Sequence, residues 1–316
     1  MSAHRGRALV TGAAGFIGVH LCRALAAAGW RVHALLRPEG SAWRSRALPR
    51  DAVRHAVDLA DYAALASTLA RVRPDVVFHA AAASAYAPQA PLRRMVADDV
   101  LTTVHLLDAT AELPLSRLVV FASCFETGPG GEPHREDDAP RPTTRRGAAR
   151  GAATLFALQQ ARGEGRPVVA LRPFHVYGPW EAPRRLVPQA VRAALTGGVL
   201  PLAADDVERD LVYVGDVADA CLLAATRNDV AGELIHLAGG RGVNAGEVAA
   251  VVERLTGRPL RVARGAYAGD GAVEPRRVAD VGKARRLLGW EAAHDLEAGL
   301  AACVDWVRRH DAEIPW

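Results

Sequence analysis

The chain has 316 residues, half of them hydrophobic, enough to bury one large core or two lobes that share an interface. Its 39 Lys and Arg stand among 35 Asp and Glu, for a formal net charge of +4, and this even mixing argues against a nucleic-acid partner. No run reaches the roughly 18 consecutive apolar residues a bilayer span needs, and MSAHRGRALVTG enters a strand without a signal-like apolar stretch, so a soluble, cytoplasmic protein with no membrane partner is expected.

In chain order, RALVTG, RVHALLR, DVVFHAAA and RLVVFAS read as short buried strands, with the amphipathic helices GVHLCRALAAAG and DYAALASTLARV among them. This alternation predicts an α/β fold in which helices cover both faces of a parallel sheet. Ile17, Leu21 and Leu25 share one face of the first helix. After residue 170 the pattern loosens into LRPFHVYGPWEAPRRLVP, the helix AVRAALTGG, the strand-like RDLVYV and the helices DVADACLLAAT, NAGEVAAVVERLTG and EAGLAACVDWVRRH. A second lobe built from these pieces would form a cleft against the first, with PGGEPHREDDAPRPTTRR as a surface loop over it. Cys22, Cys124, Cys221 and Cys303 show neither CxxC nor Cys/His spacing, so no disulfide framework and no metal site is expected.

TGAAGFIG, between the first strand and the first helix, puts Gly12, Gly15 and Gly18 where a backbone turns tightly beneath a pyrophosphate, with Phe16 and Ile17 opening the helix. At the end of the second strand, where an acid would receive the ribose hydroxyls of NAD, the chain has Leu36 and then Arg37. A guanidinium suits a ribose 2′-phosphate, so NADP(H) is favoured and NAD(H) is the alternative. Arg44 and Arg46 extend that clamp or are solvated. Asp58, beside Leu59, either accepts from the adenine amino group or caps a helix. Asp216 is expected to cap the helix DVADACLLAAT.

TGAAGFIG, VDL at 57–59, FHAAA at 78–82, LRPFHVYGP at 171–179, RDLVYVGDVADA at 209–220 and LLGW at 287–290 occur in this order. Together they resemble the extended short-chain dehydrogenase/reductase family, in its nucleotide-sugar epimerase, dehydratase and 4-ketoreductase group. The resemblance implies a Rossmann-type doubly wound domain over residues 1–170, with a returning segment near 209–228. It also implies a smaller α/β substrate-binding domain over 171–316, a nucleoside diphosphate sugar as substrate and a homodimer built on a helix bundle. Ala80, Ala81, Ala82, Pro173 and Val176 would then touch the dinucleotide, and Cys124, Phe125, Tyr177 and Arg209 the substrate. Arg184, Arg185 and Arg276 would reach phosphates or be solvated, and Trp180 would stack on a base or sugar, or simply pack.

Ser123 falls on the family's catalytic hydroxyl, but the positions of its proline, tyrosine and lysine are Pro142, Arg146 and Arg150. A guanidinium cannot replace a phenol as proton relay. Arg146 could instead stabilise a developing alkoxide and Arg150 act as a fixed charge; otherwise both are exposed helix residues beside a dead site. His175 and Tyr86 are the remaining candidates for general acid work, and each could equally pack or contact substrate. Cys124 is read as a core thiol or a reactive one. The carboxylate of Glu126 lies one position beyond those of the family's dehydratases, which argues against a standard 4,6-dehydratase. The expected function is an NADP(H)-dependent reductase or epimerase with a non-standard proton donor; the competing readings are non-redox chemistry on the same scaffold and a silent dinucleotide-binding protein.

Overall fold

The computed structural model describes residues 5–38, 42–82, 90–128, 133–202, 207–265 and 276–316. Its strands, in chain order, are β1 (Arg7–Thr11), β2 (Arg31–Leu36), β3 (Val53–Ala56), β4 (Val76–His79), β5 (Arg117–Phe121), β6 (Val168–Pro173), β7 (His175–Tyr177), β8 (Val199–Leu202), β9 (Glu208–Tyr213), β10 (Leu234–Leu237), β11 (Gly242–Val243), β12 (Arg261–Arg264) and β13 (Arg276–Arg277). Seven of them form one sheet in the order β10-β6-β5-β4-β1-β2-β3, every pairing parallel. The chain order reverses between β1 and β4, and this type of sheet binds its ligands at that point, beyond the carboxyl ends of the strands.

Alternate side chains of each strand enter different cores. Ala8, Val10, Val76 and Phe78 pack on one face with Leu21 and Leu25 of the helix Phe16–Ala27 and with Val217 and Cys221 of the helix Val214–Thr226. Leu9, Val77, Leu118 and Val120 pack on the other with Leu65 and Leu69 of the helix Tyr62–Val72, Leu106 and Leu107 of Thr102–Ala109, and Ala157 of Arg145–Glu164. The fold is α/β and doubly wound, and burial on both faces explains why its strands are near-continuous apolar runs.

The later strands build smaller sheets. β9 pairs in parallel with β7 and β13 and antiparallel with β11, while β8 pairs with β12. The helix Val214–Thr226, within the 209–228 stretch, packs on the large sheet through Val217 and Cys221, and β10 then continues the sheet edge beside β6. Trp180, with φ +65°, is buried against Trp43 and Trp306, which makes it a packing residue. No helix among the described residues is long and apolar enough to cross a membrane, and no group of three His, Cys, Asp or Glu side chains there could hold a metal ion.

Candidate active site

Gly12 directly follows β1 with φ +64°, and a side chain there would put its Cβ 2.6 Å from the Ala81 nitrogen. The turn after β1 is thereby pressed onto the Ala80–Ala81 backbone that leaves β4. The helix Phe16–Ala27 begins after Gly15 with no side-chain cap and no acidic residue in its first turn. Its first amides are free of intrahelical partners, an arrangement that fits a dinucleotide pyrophosphate.

Beneath this loop lies a buried hydrogen-bonded row that sequence reading did not find. Thr103 Oγ1 donates to Asp99 O at 2.6 Å, so it accepts from His79 Nε2 at 3.0 Å, and His79 Nδ1 accepts from Thr11 Oγ1 at 2.8 Å. Thr11 Oγ1 in turn accepts from Ala81 N at 3.3 Å. Burial, with the Arg150 charge adding to it, pushes His79 down to about 3, so the neutral tautomer fixed by this row persists at neutral pH. The row locks the ends of β1 and β4 against each other; its only trace in the sequence is a polar residue inside an apolar strand.

Arg37 is exposed just after β2. Arg44, proposed as part of the same clamp, donates to Trp180 O at 2.6 Å and lies over the Trp43 ring. Asp58 does not cap the following helix: it accepts from Ala60 N, and Asp61 is the cap, accepting from Ala64 N. Leu59 accepts through its carbonyl from His105 Nδ1.

Ser123 follows β5 and starts a short 3-10 turn, Cys124–Glu126. Its hydroxyl accepts from Phe125 N at 3.3 Å, and its amide donates to Glu126 Oε1 at 2.7 Å. Glu126 is 1 % exposed and meets three segments at once: the Ser123 turn, Thr154 on the helix Arg145–Glu164 at 2.9 Å, and Arg172 on β6 at 2.9 Å. Arg172 also donates to His236 Nε2 at 3.2 Å. Burial and Arg172 hold His236 near 3, so its 4.0 Å approach to Glu136 is a contact of a neutral ring and no ion pair. Glu126 is thus the central anion of this region.

Arg146 and Arg150 occupy different environments on one helix, one turn apart. Arg150 is 3 % exposed, pairs with Asp99 at 3.4 Å and donates to Ala81 O and Phe121 O. Its guanidinium ties the ends of β4 and β5 to the π-helical turn Val96–Leu101 that carries Asp99, a kind of turn common at functional sites. Arg146 is held close to the Ser123 turn by its neighbour Gly147, where any Cβ would collide with Phe125 O. Burial pulls its pKa down, with Asp99 opposing and Arg150 and Arg185 adding to the effect.

On the opposite side His175 opens β7, its ring edge-on to Phe125, and Arg277 lies over the other ring of that contact, 4.7 Å from the Phe125 centroid. Burial, then Arg209, Arg185 and Arg277, hold His175 well below its ordinary range, so it is a neutral imidazole at pH 7 and not a stock of acidic protons. Pro173 ends β6 in a buried position, and Val176 is half-buried. Tyr177 turns into the core, with its hydroxyl on Asp295 O and its pKa raised by burial. Cys124 is 2 % exposed beside Phe174, Ala238 and Ala279, and burial raises its thiol pKa. Asp210, next to Arg209, accepts from the amides of Gly239, Gly240 and Ala279 and is pushed up to about 7 by burial. Asp216 does not cap its helix; it receives His294 through backbone N at 3.0 Å and Nδ1 at 2.7 Å. Tyr86 lies outside the described residues.

The glycine turn, Ser123, Arg146 and His175 therefore follow β1, β5 and β6 around the reversal point of a parallel sheet. The family model described as the NAD dependent epimerase/dehydratase family matches residues 8–238, well over half of the chain. The chain belongs to that family. It is an enzyme of the extended short-chain dehydrogenase/reductase type, and the likeness runs along its whole length. A UDP-glucuronate 4-epimerase of Thermodesulfobacterium geofontis is 24% identical, with 96% of each chain covered. A dTDP-4-dehydro-6-deoxy-D-allose reductase of Streptomyces bikiniensis is 28% identical over 96% of each. Among solved structures, that of MoeE5 in complex with UDP-glucuronic acid and NAD is 33% identical, has a TM-score of 0.84 and covers 96% of this chain and 99% of its own.

Proposed function

We propose that this enzyme is an NADP(H)-dependent reductase or epimerase of a nucleoside diphosphate sugar, or of a related keto or hydroxy substrate, that works without the family's tyrosine. The observation that carries this reading is the conjunction, at one sheet reversal, of an uncapped helix behind the Gly12 turn with the Ser123 hydroxyl, and with Arg185, Arg209 and Arg277 near enough to His175 to act on it. The first would hold the dinucleotide, the second the reacting sugar oxygen and the third the diphosphate. Arg37 supports NADP(H) over NAD(H). The bound dinucleotide would supply or remove a hydride at the sugar carbon. Ser123 and Tyr86 are the groups left to give the sugar oxygen a proton, since His175 is held neutral and is no acid at pH 7. Residues 1–170 would form the dinucleotide domain and 171–316 most of the substrate domain, in a cytoplasmic protein.

The test is transfer of deuterium from 4-deuterated NADPH and NADH, each labelled on either face, to a panel of nucleoside diphosphate 4-keto-6-deoxysugars, read by mass spectrometry. Transfer from NADPH in preference to NADH is expected. Absence of transfer with bound dinucleotide would sink the ketoreductase form and favour the second reading, non-redox chemistry such as elimination or isomerisation. That reading draws support from Arg150, whose charge is committed to Asp99 and two backbone carbonyls.

We further infer a homodimer. Leu155 and Phe156 are 59% and 50% exposed on the helix Arg145–Glu164, and Leu92, Val96 and Leu101 are exposed on the helical segment that packs against it. Apolar side chains gathered on two adjacent helices suit a second copy of the same face. Light scattering should give twice the chain mass for the parent protein and the chain mass for Phe156→Asp; a monomeric parent would refute the dimer.

A further inference from the structure

The first turn of the helix Arg145–Glu164 sets Arg146 beside the Ser123 turn, because Gly147 packs directly on Phe125 O. The Arg146 Nε is buried and, among the described residues, has no hydrogen-bond partner. Its acidic neighbour is Asp99, and Arg150 already holds Asp99 Oδ1 at 3.4 Å. Arg150 and Arg185 act on it as like charges, after burial and against Asp99. A guanidinium withdrawn from water among like charges is unfavourable until an anion meets it.

Further cations face the same turn: Arg277 and Arg209 act, with Arg146, on Cys124. Arg209 on β9 and Arg277 on β13 act on His175, and Arg185 acts on both His175 and Arg146. Of these cations, Arg146 is the one whose helix start packs on the Ser123 turn, through Gly147 against Phe125 O. In the nucleotide-sugar reading a diphosphate would meet Arg209 and Arg277, and Arg146, set on the Ser123 turn by Gly147, is placed for an anion at the sugar end.

We propose that Arg146 receives a carboxylate carried by the sugar, so that the substrate is a nucleoside diphosphate linked to an acidic sugar. This rests on the nucleotide-sugar reading above. A carboxylate presents two coplanar oxygens to the Nε and Nη edge of the fork, and it is charged throughout the reaction. A neutral sugar would leave the buried Nε without a charged partner in the resting complex, and an alkoxide would meet it only in passing.

The test is isothermal titration of the dinucleotide-loaded protein with the uridine and the deoxythymidine series, each as free diphosphate, glucose conjugate and glucuronate conjugate. The parent, Arg146→Gln and Arg146→Lys are compared. In at least one series the glucuronate should bind about tenfold or more tighter than the glucose conjugate. Arg146→Gln should erase that gap while leaving the free diphosphate within about twofold, and Arg146→Lys should keep part of it. A free diphosphate that binds with no gap between the two sugars would overturn the role of Arg146 and leave the nucleotide-sugar reading standing. A gap that survives Arg146→Gln would place the carboxylate elsewhere and overturn it too. Failure of every nucleotide to bind would remove the nucleotide-sugar reading, and this inference with it.

Discussion

Glu126→Ala should destabilise the protein by about 3–5 kcal/mol, the usual result of removing one member of a buried ion pair. Arg172, 2 % exposed, would lose its carboxylate partner, and the Ser123 amide and Thr154 hydroxyl would lose their acceptor. The ring on the other side of Arg172 is the neutral His236, which has no charge to replace it. Glu126→Gln keeps the shape and one acceptor oxygen and should recover part of the loss. Calorimetric unfolding of both variants measures it. Equal melting temperatures for Glu126→Ala and the parent would mean that the cluster does not hold the three segments together.

Gly12→Ala should destabilise the fold by about 2–4 kcal/mol and weaken dinucleotide binding by about 100-fold or more. Two independent strains add. The backbone at φ +64° disfavours any side chain, and the new Cβ would sit 2.6–2.8 Å from Ala80 and Ala81 backbone atoms. Backbone cannot swing aside as a side-chain tip can, so the turn must lift from β4 and its amides must leave the positions they share with the helix start. Fluorescence titration with NADPH against the parent tests this. Binding within about threefold of the parent would show that the loop tolerates the displacement and that the contact with Ala81 does not shape the dinucleotide site.

The parallel sheet was legible because strands buried on both faces leave unbroken apolar runs, and the glycine turn because its residue types have few alternative uses. The polar interior was not. Asp99, Glu126, His79 and Asp210 each make contacts with residues at least 24 positions distant in sequence, and no periodicity marks such pairing. Capping was misread for a related reason. Asp58 and Asp216 both stand where a helix begins, but Asp61 is better placed for the first cap, and His294, from far along the chain, takes the second. Arg146 and Arg150 could be located from sequence but not distinguished. Four residues put them on the same helical face, and only the positions of Asp99 and Phe121 decide that one guanidinium is satisfied by the scaffold while the other keeps an open Nε.

The strand β10 closes the large sheet beside β6 only after the chain has passed through β7, β8 and β9. On the ribosome, therefore, β6 emerges with one flank of backbone donors and acceptors unclaimed, and it stays so while the intervening segments are synthesised. Such a flank is a template for pairing with another nascent chain, and the residues that will cover it, Leu234, Ile235 and Leu237, are themselves apolar and fully or almost fully buried at the end. Late delivery of that strand couples completion of the dinucleotide lobe to synthesis of the segments in between.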